Sequence, residues 1–246
     1  MNQQTLILDL DDTLIHCTKY FAESKNRFAN QMKKWFKSIS KEEIIEKQLE
    51  IDLNHVAEQG LHSSVYPQSL VLTYQYFCGK VGRKVKESEI NQIRNIGKMV
   101  FQRRVKPFPY MYEILDLLQE DGHQLYLYTG GDEANQKRKI GQLGLHDYFE
   151  KGIFIDEHKN TPALQKVLNK ITADNRNTWM IGNSLKTDIK PAIELGINAI
   201  HIPAEIEWSY NIVDIEIEPN GTFAQLKSLL DLPEFLREHC YFKSAN

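Results

Sequence analysis

The chain has 246 residues, 41 % of them hydrophobic and 26 % charged, with a net charge of −3 and a pI near 6.3. That balance belongs to a folded globular protein of one large or two small domains, and it excludes a disordered chain, a globally basic nucleic-acid binder and an acidic tail. No apolar run reaches the roughly 18 residues needed to span a bilayer. Acids interrupt the first apolar run too soon for a signal segment. The scattered Cys17, Cys78 and Cys240 suggest neither a zinc site nor a disulfide framework, so the expected setting is a reducing, cytoplasmic one without membrane or nucleic acid.

In chain order, Leu6, Ile7 and Leu8 form an unbroken apolar run, as in a strand buried on both faces. From Thr18 to about Lys106 the pattern is helical. Phe21, Phe28, Met32, Trp35 and Ile39 make one stripe, and Ser40 with Glu43 reads as a capping box for a second helix ending near Gly60. A third helix has Pro67 in its first turn and ends at Gly79, and Ile90, Ile93, Val100 and Phe101 mark a fourth. Pro107 and Pro109 set a boundary, beyond which helices and strands alternate. The expected elements are a helix over Tyr110–Glu120, a strand over Leu125–Tyr128, a helix over Asp132–Leu143 and a strand over Gly152–Ile155. A helix over Thr161–Ile171, a strand over Thr178–Ile181, a helix over Asp188–Leu195 and a strand over Ala199–Ile202 follow. Ile212–Ile217 reads as an edge strand, Phe223–Leu230 as a closing helix, and Asp231 as the cap of a last helix to about Cys240.

Alternating βα units imply an α/β fold: a Rossmann-like, mainly parallel sheet with helices on both faces. The first strand belongs with the later ones, although about ninety helical residues intervene. A structureless loop of that length is improbable in a compact domain, so residues 17–105 are expected to form an all-helical domain, and residues 1–16 and 106–246 the catalytic core.

The chemistry gathers where the strands end. Asp9, Asp11 and Asp12 follow the first strand within four residues. Crowded carboxylates repel one another and are costly to bury unpaired, so a positive charge, most simply a divalent cation, belongs beside them. The string TLILDLDDTL resembles the first motif of the haloacid dehalogenase (HAD) superfamily of phosphatases and phosphotransferases. Later stretches match its remaining motifs in order. Thr129 ends a strand in LYLYTGG, where Gly130 and Gly131 let backbone amides approach an anion. Lys159 precedes a helix start, with Lys151 as a nearby competitor. GNSLKTDIKPAIELGI carries Asp188 in the fourth-motif position, with Asn183 where many members have Asp.

By that resemblance, Asp9 is the nucleophile and Asp11 the general acid/base. Thr129, Gly130 and Lys159 bind the phosphoryl group. Asp9, Asp11 and Asp188 hold Mg²⁺, with Asn183 as a further oxygen donor. The helical insert corresponds to the superfamily's cap. The implied activity is Mg²⁺-dependent hydrolysis of a small phosphorylated metabolite through an aspartyl phosphate. The competing readings are a metal-independent haloacid dehalogenase or a phosphomutase on the same fold, a phosphate-accepting signalling module, and a catalytically silent binding protein. Asp11 favours the phosphatase over the dehalogenase, which needs no acid there. Lys19, Tyr20, Arg103 and Arg104 flank the insert and face either crevice or solvent. Substrate and oligomeric state are not legible.

Overall fold

The computed structural model describes residues 3–242. Contacts divide the chain into two compact units, Met1–Thr18 with Val105–Asn246, and Lys19–Arg104. No helix among the described residues is long and apolar enough to cross a membrane.

The first unit is built on a six-stranded, all-parallel sheet in the order β3-β2-β1-β4-β5-β6. The strands are β1 (Thr5–Leu8), β2 (Gln124–Gly130), β3 (Ile153–Asp156), β4 (Thr178–Gly182), β5 (Asn198–His201) and β6 (Phe223–Gln225). In β1 the side chains alternate between the two faces, as the pleat requires. Leu6 and Leu8 join Leu125, Leu127, Trp179 and Ile181 in one cluster, which α5 (Met111–Glu120), α6 (Glu133–Gln142) and α9 (Leu232–Phe242) help to cover. Ile7 joins Tyr126, Tyr128 and Met180 in the other, beneath α7 (Thr161–Ile171) and α8 (Lys190–Glu194). With both faces covered, the central strands carry unbroken apolar runs between polar or glycine ends.

Strands β2, β3 and β4 each feed a helical segment through a short connection, and the caps follow the local chemistry. Asp132 accepts from the Asn135 N–H at the start of α6, and Asn160, rather than the expected Thr161, accepts from the Ala163 N–H at the start of α7. The helix expected from Asp188 begins differently. Leu185–Ile189 forms one π-helical turn, and regular α-helix starts only at Lys190, with Pro191 in its first turn.

Two expectations near the C-terminus are overturned. Ile212–Ile217 is not a strand. Ile212 and Ile217 are exposed, and only Ile215 packs against a core cluster, so the alternation has no sheet face to meet. The edge position is taken by β6, within the segment expected to be a helix. Ala199 N–H donates to Thr222 O and Leu226 N–H to His201 O, which zips the segment onto β5. Gly221 permits the approach, since a Cβ there would lie 2.8 Å from Ile197 O. The remainder of that segment makes a short 3₁₀ turn over Leu229–Asp231, capped reciprocally by Ser228 and Asp231.

The second unit contains four helices: α1 (Thr18–Trp35), α2 (Lys41–Gln59), α3 (Val65–Lys80) and α4 (Glu87–Gln102). They enclose a core of their own around Phe28, Met32, Leu70, Tyr74, Phe77 and Ile93. Phe21 and Trp35 sit half-buried at its margin. Ser40 caps α2 through the Glu43 N–H, but the Glu43 side chain does not reach back and pairs with Lys80 instead. Glu89 is held by both guanidinium nitrogens of Arg83 and by the Tyr74 hydroxyl.

Candidate active site

In an open parallel sheet, ligands bind beyond the carboxyl ends of the strands, where the strand order reverses. Here that place lies between β1 and β4, the neighbours that leave the sheet's centre in opposite directions. Asp9 follows β1 directly. Its N–H extends the ladder to Ile181 O, so the carboxylate is placed by the sheet itself. Thr13 closes the turn by donating to Asp9 Oδ2 at 3.0 Å.

Three of the expected residues converge. Lys159 Nζ lies 2.6 Å from Asp9 Oδ1 and 2.5 Å from Asp188 Oδ1. All three are buried. The competitor Lys151 is exposed. Asp188 is further fixed by the Ser184 N–H, which donates to its Oδ2. Gly182 makes room for it, because a Cβ at 182 would stand 2.2 Å from Asp188 Oδ2. Asn183 is buried on the same turn, and its carbonyl accepts from His201 Nε2.

One ammonium between two carboxylates leaves an excess negative charge in a water-poor place. Burial pushes the Asp9 carboxyl up to about 7; Lys159 pulls it down and the Asp188 charge adds to the rise. Burial works against the Lys159 ammonium as well, but Asp188 and Asp9 outweigh it and hold its pKa above the ordinary lysine value.

Asp11 is placed otherwise. Its carboxylate is taken by α6: Lys139 Nζ lies 2.8 and 2.7 Å from its two oxygens, and Gln136 Nε2 donates at 3.0 Å. Burial alone would raise its pKa, but Lys139 overcomes this and holds it below the ordinary value. Gln136 also donates to Thr129 Oγ1 at 2.5 Å and to Gly130 O at 2.8 Å. It thus joins the end of β2 to the turn after β1. Neither Gln136 nor Lys139 lies in any of the four sequence motifs. Their only signal in the sequence is that they share the inward stripe of α6 with Ile140.

Asp12 serves the backbone. It sits at φ +61°, a region that Asp tolerates better than most residues, and its carboxylate accepts from the Cys17 and Thr18 N–H groups at the start of α1. Arg103 pairs with Glu23 and lies over the Tyr20 ring within the helical unit, while Lys19 and Arg104 are exposed.

The donor set fits a hard divalent cation. Mg²⁺ is usually held by one or two carboxylates, with water and phosphate oxygens completing the shell. Asp9 and Asp188 provide two carboxylates within reach of one ammonium. The buried Asp188 Oδ1 has no aligned hydrogen-bond donor beyond that ion pair. A denser cage, with three or more acidic, histidine or cysteine side chains converging, is not found among the described residues.

Comparison with known proteins bears on the family and the fold. The family model for haloacid dehalogenase-like hydrolases matches residues 6–202. A glyceraldehyde 3-phosphate phosphatase of Methanocaldococcus jannaschii is 23 % identical over 237 residues, covering 95 % of this chain and 98 % of that protein. Among solved structures, a haloacid dehalogenase-like family hydrolase from Xanthomonas campestris superposes with a TM-score of 0.78 at 21 % identity, covering 96 % of this chain and 91 % of the other. The L-2-haloacid dehalogenase of Xanthobacter autotrophicus does so with a TM-score of 0.59 at 15 % identity, covering 96 % and 98 %.

Proposed function

Because the chain belongs to the haloacid dehalogenase-like hydrolases, we propose that it is a Mg²⁺-dependent phosphatase, cleaving a small phosphate monoester through an aspartyl phosphate on Asp9. The observation that carries this reading is the buried Asp9–Lys159–Asp188 cluster at the end of β1, with a second carboxylate, Asp11, two residues on. A dehalogenase has no use for that second acid.

In this mechanism Asp9 Oδ attacks phosphorus, the P–O bond to the leaving group breaks, and the phosphoryl group passes to Asp9. Asp11 gives a proton to the leaving oxygen, then takes one from the water that hydrolyses the acyl phosphate. The described Asp11 is held in the ionised form that the second step uses. The first step requires that one of its oxygens take up a proton, while the other keeps its hydrogen bond from Lys139. Thr129 and Lys159 hold the equatorial phosphoryl oxygens as charge spreads over them. Mg²⁺, held by Asp9, Asp188 and the Asp11 carbonyl with Asn183 beside them, would neutralise the charge between phosphate and Asp9 when bound. The helical unit is proposed to act as the cap that selects the leaving group.

The family relative named for glyceraldehyde 3-phosphate makes triose-phosphate-sized esters the place to begin. A panel of phosphorylated metabolites, assayed for phosphate release with Mg²⁺ and with excess chelator, tests the reading. Release that requires Mg²⁺ is expected. Undiminished release in chelator, or metal-independent halide release from a 2-haloacid with no phosphatase activity, would contradict it.

A further inference from the structure

We propose that Gln136 and Lys139 are a positioning pair: together they fix the Asp11 carboxylate for proton transfer, and Gln136 turns the Thr129 hydroxyl so that its proton is given to the substrate's phosphoryl oxygens. The inference rests on the roles given above to Asp11 and Thr129, and names the residues that set them.

Helix α6 is mostly polar, yet beside the core residue Ile140 it buries Gln136, 0 % exposed, and Lys139, 7 % exposed. They stand three residues apart, on one face. A lysine is seldom buried unless its charge is met, and here both oxygens of Asp11 meet it. The carboxylate is gripped at both atoms, so its plane is set as well as its position.

The carboxamide settles the rest. Gln136 Nε2 is surrounded by Thr129 Oγ1, Gly130 O and Asp11 Oδ2. The carbonyl and the carboxylate can only accept, so the nitrogen and not the oxygen of the amide belongs there. An amide NH₂ donates and does not accept, so Thr129 Oγ1 takes its hydrogen bond. The hydroxyl's own proton remains free to be donated to an anion. Two N–H groups serve three acceptors, and the bond to Asp11 is the longest of the three. Lys139 therefore supplies the main grip on Asp11, and Gln136 supplies the link to Thr129. Gly131 belongs to the same device, because a Cβ there would press on Gln136 Cδ at 3.2 Å.

The test uses leaving-group dependence, which a merely structural defect would not move. An alkyl ester such as glycerol phosphate needs a proton on its leaving oxygen; p-nitrophenyl phosphate does not. The ratio of kcat/KM for the two reports the acid step alone, since kcat/KM ends with alcohol release. Asp11→Asn is the reference, expected to lose about 10²-fold or more on the alkyl ester beyond any loss on the aryl ester. Lys139→Met and Gln136→Leu are each expected to shift the ratio in the same direction by about 10-fold or more, with Lys139→Arg recovering part of it. Gln136→Leu is also expected to weaken competitive inhibition by inorganic phosphate. Should Lys139→Met fail to fold, Gln136→Leu carries the test. Equal losses on both esters in the folded variants, with Asp11→Asn selective, overturn the positioning role alone. An unselective Asp11→Asn removes the acid role of Asp11, and the inference with it.

Discussion

Asp9 and Asp11 are two residues apart and both paired with a lysine, yet their acidities move in opposite directions. Asp9 shares Lys159 with Asp188, and burial leaves it raised to about 7. Asp11 has Lys139 to itself, with Gln136 in support, and is lowered. The difference is one of local charge balance: two carboxylates on one ammonium against one on one. Of the two, the Asp9–Asp188 pair is the one short of positive charge, and it is where the proposed mechanism places a divalent ion. The neutral Asp11–Lys139 pair is already complete, which suits the proton-transfer role proposed for Asp11.

Removing charge from the unbalanced pair sharpens that contrast most. Asp188→Ala is expected to raise the Mg²⁺ concentration for half-maximal activity by roughly 100-fold, and Asn183→Ala by about 10-fold or less, because only the first removes a carboxylate. Metal titrations of both variants check this, and a larger shift for Asn183→Ala would reverse the assignment.

The smaller effect concerns a balanced carboxylate outside the site. Glu89 in the helical unit is lowered from its ordinary value of 4.5, first by the Arg83 hydrogen bonds. A lowered folded-state pKa contributes stability that is fully present above the unfolded value and lost as pH falls through the folded one. Thermal melts from pH 6 down to 3 should therefore show this contribution fading below about 4.5. Glu89→Gln should cost about 1–3 kcal/mol at neutral pH and flatten that part of the curve.

Much of this was legible in the chain because strand ends and helix starts carry recognisable chemistry. Asp9, Thr129, Lys159 and Asp188 each stand at such a junction, and the apolar runs behind them announce a parallel sheet. Gln136 and Lys139 were not legible. Inside EANQKRKIGQ they look like the solvated face of a surface helix, and only a half-buried carboxylate brought from 125 and 128 residues away makes them inward-facing. Near the C-terminus the local signal misled. The alternation over Ile212–Ile217 is genuine strand patterning, but β6 occupies the edge beside β5. Phe223–Gln225 becomes a strand because backbone groups of β5 and its neighbours demand partners, a requirement that no local pattern encodes. The start at Asp188 failed for a related reason: a carboxylate held under Gly182 by the Ser184 N–H favours a wider first turn.

The central claim is that Asp9 is the nucleophile. Acid quenching during turnover of a phosphate ester labelled at phosphorus, followed by peptide mapping, tests it most directly. With Mg²⁺, label should appear on the peptide containing Asp9, vanish under hydroxylamine as an acyl phosphate does, and be absent in Asp9→Asn along with turnover. Normal labelling in Asp9→Asn, or label mapped to another residue of the wild-type enzyme, would contradict the account.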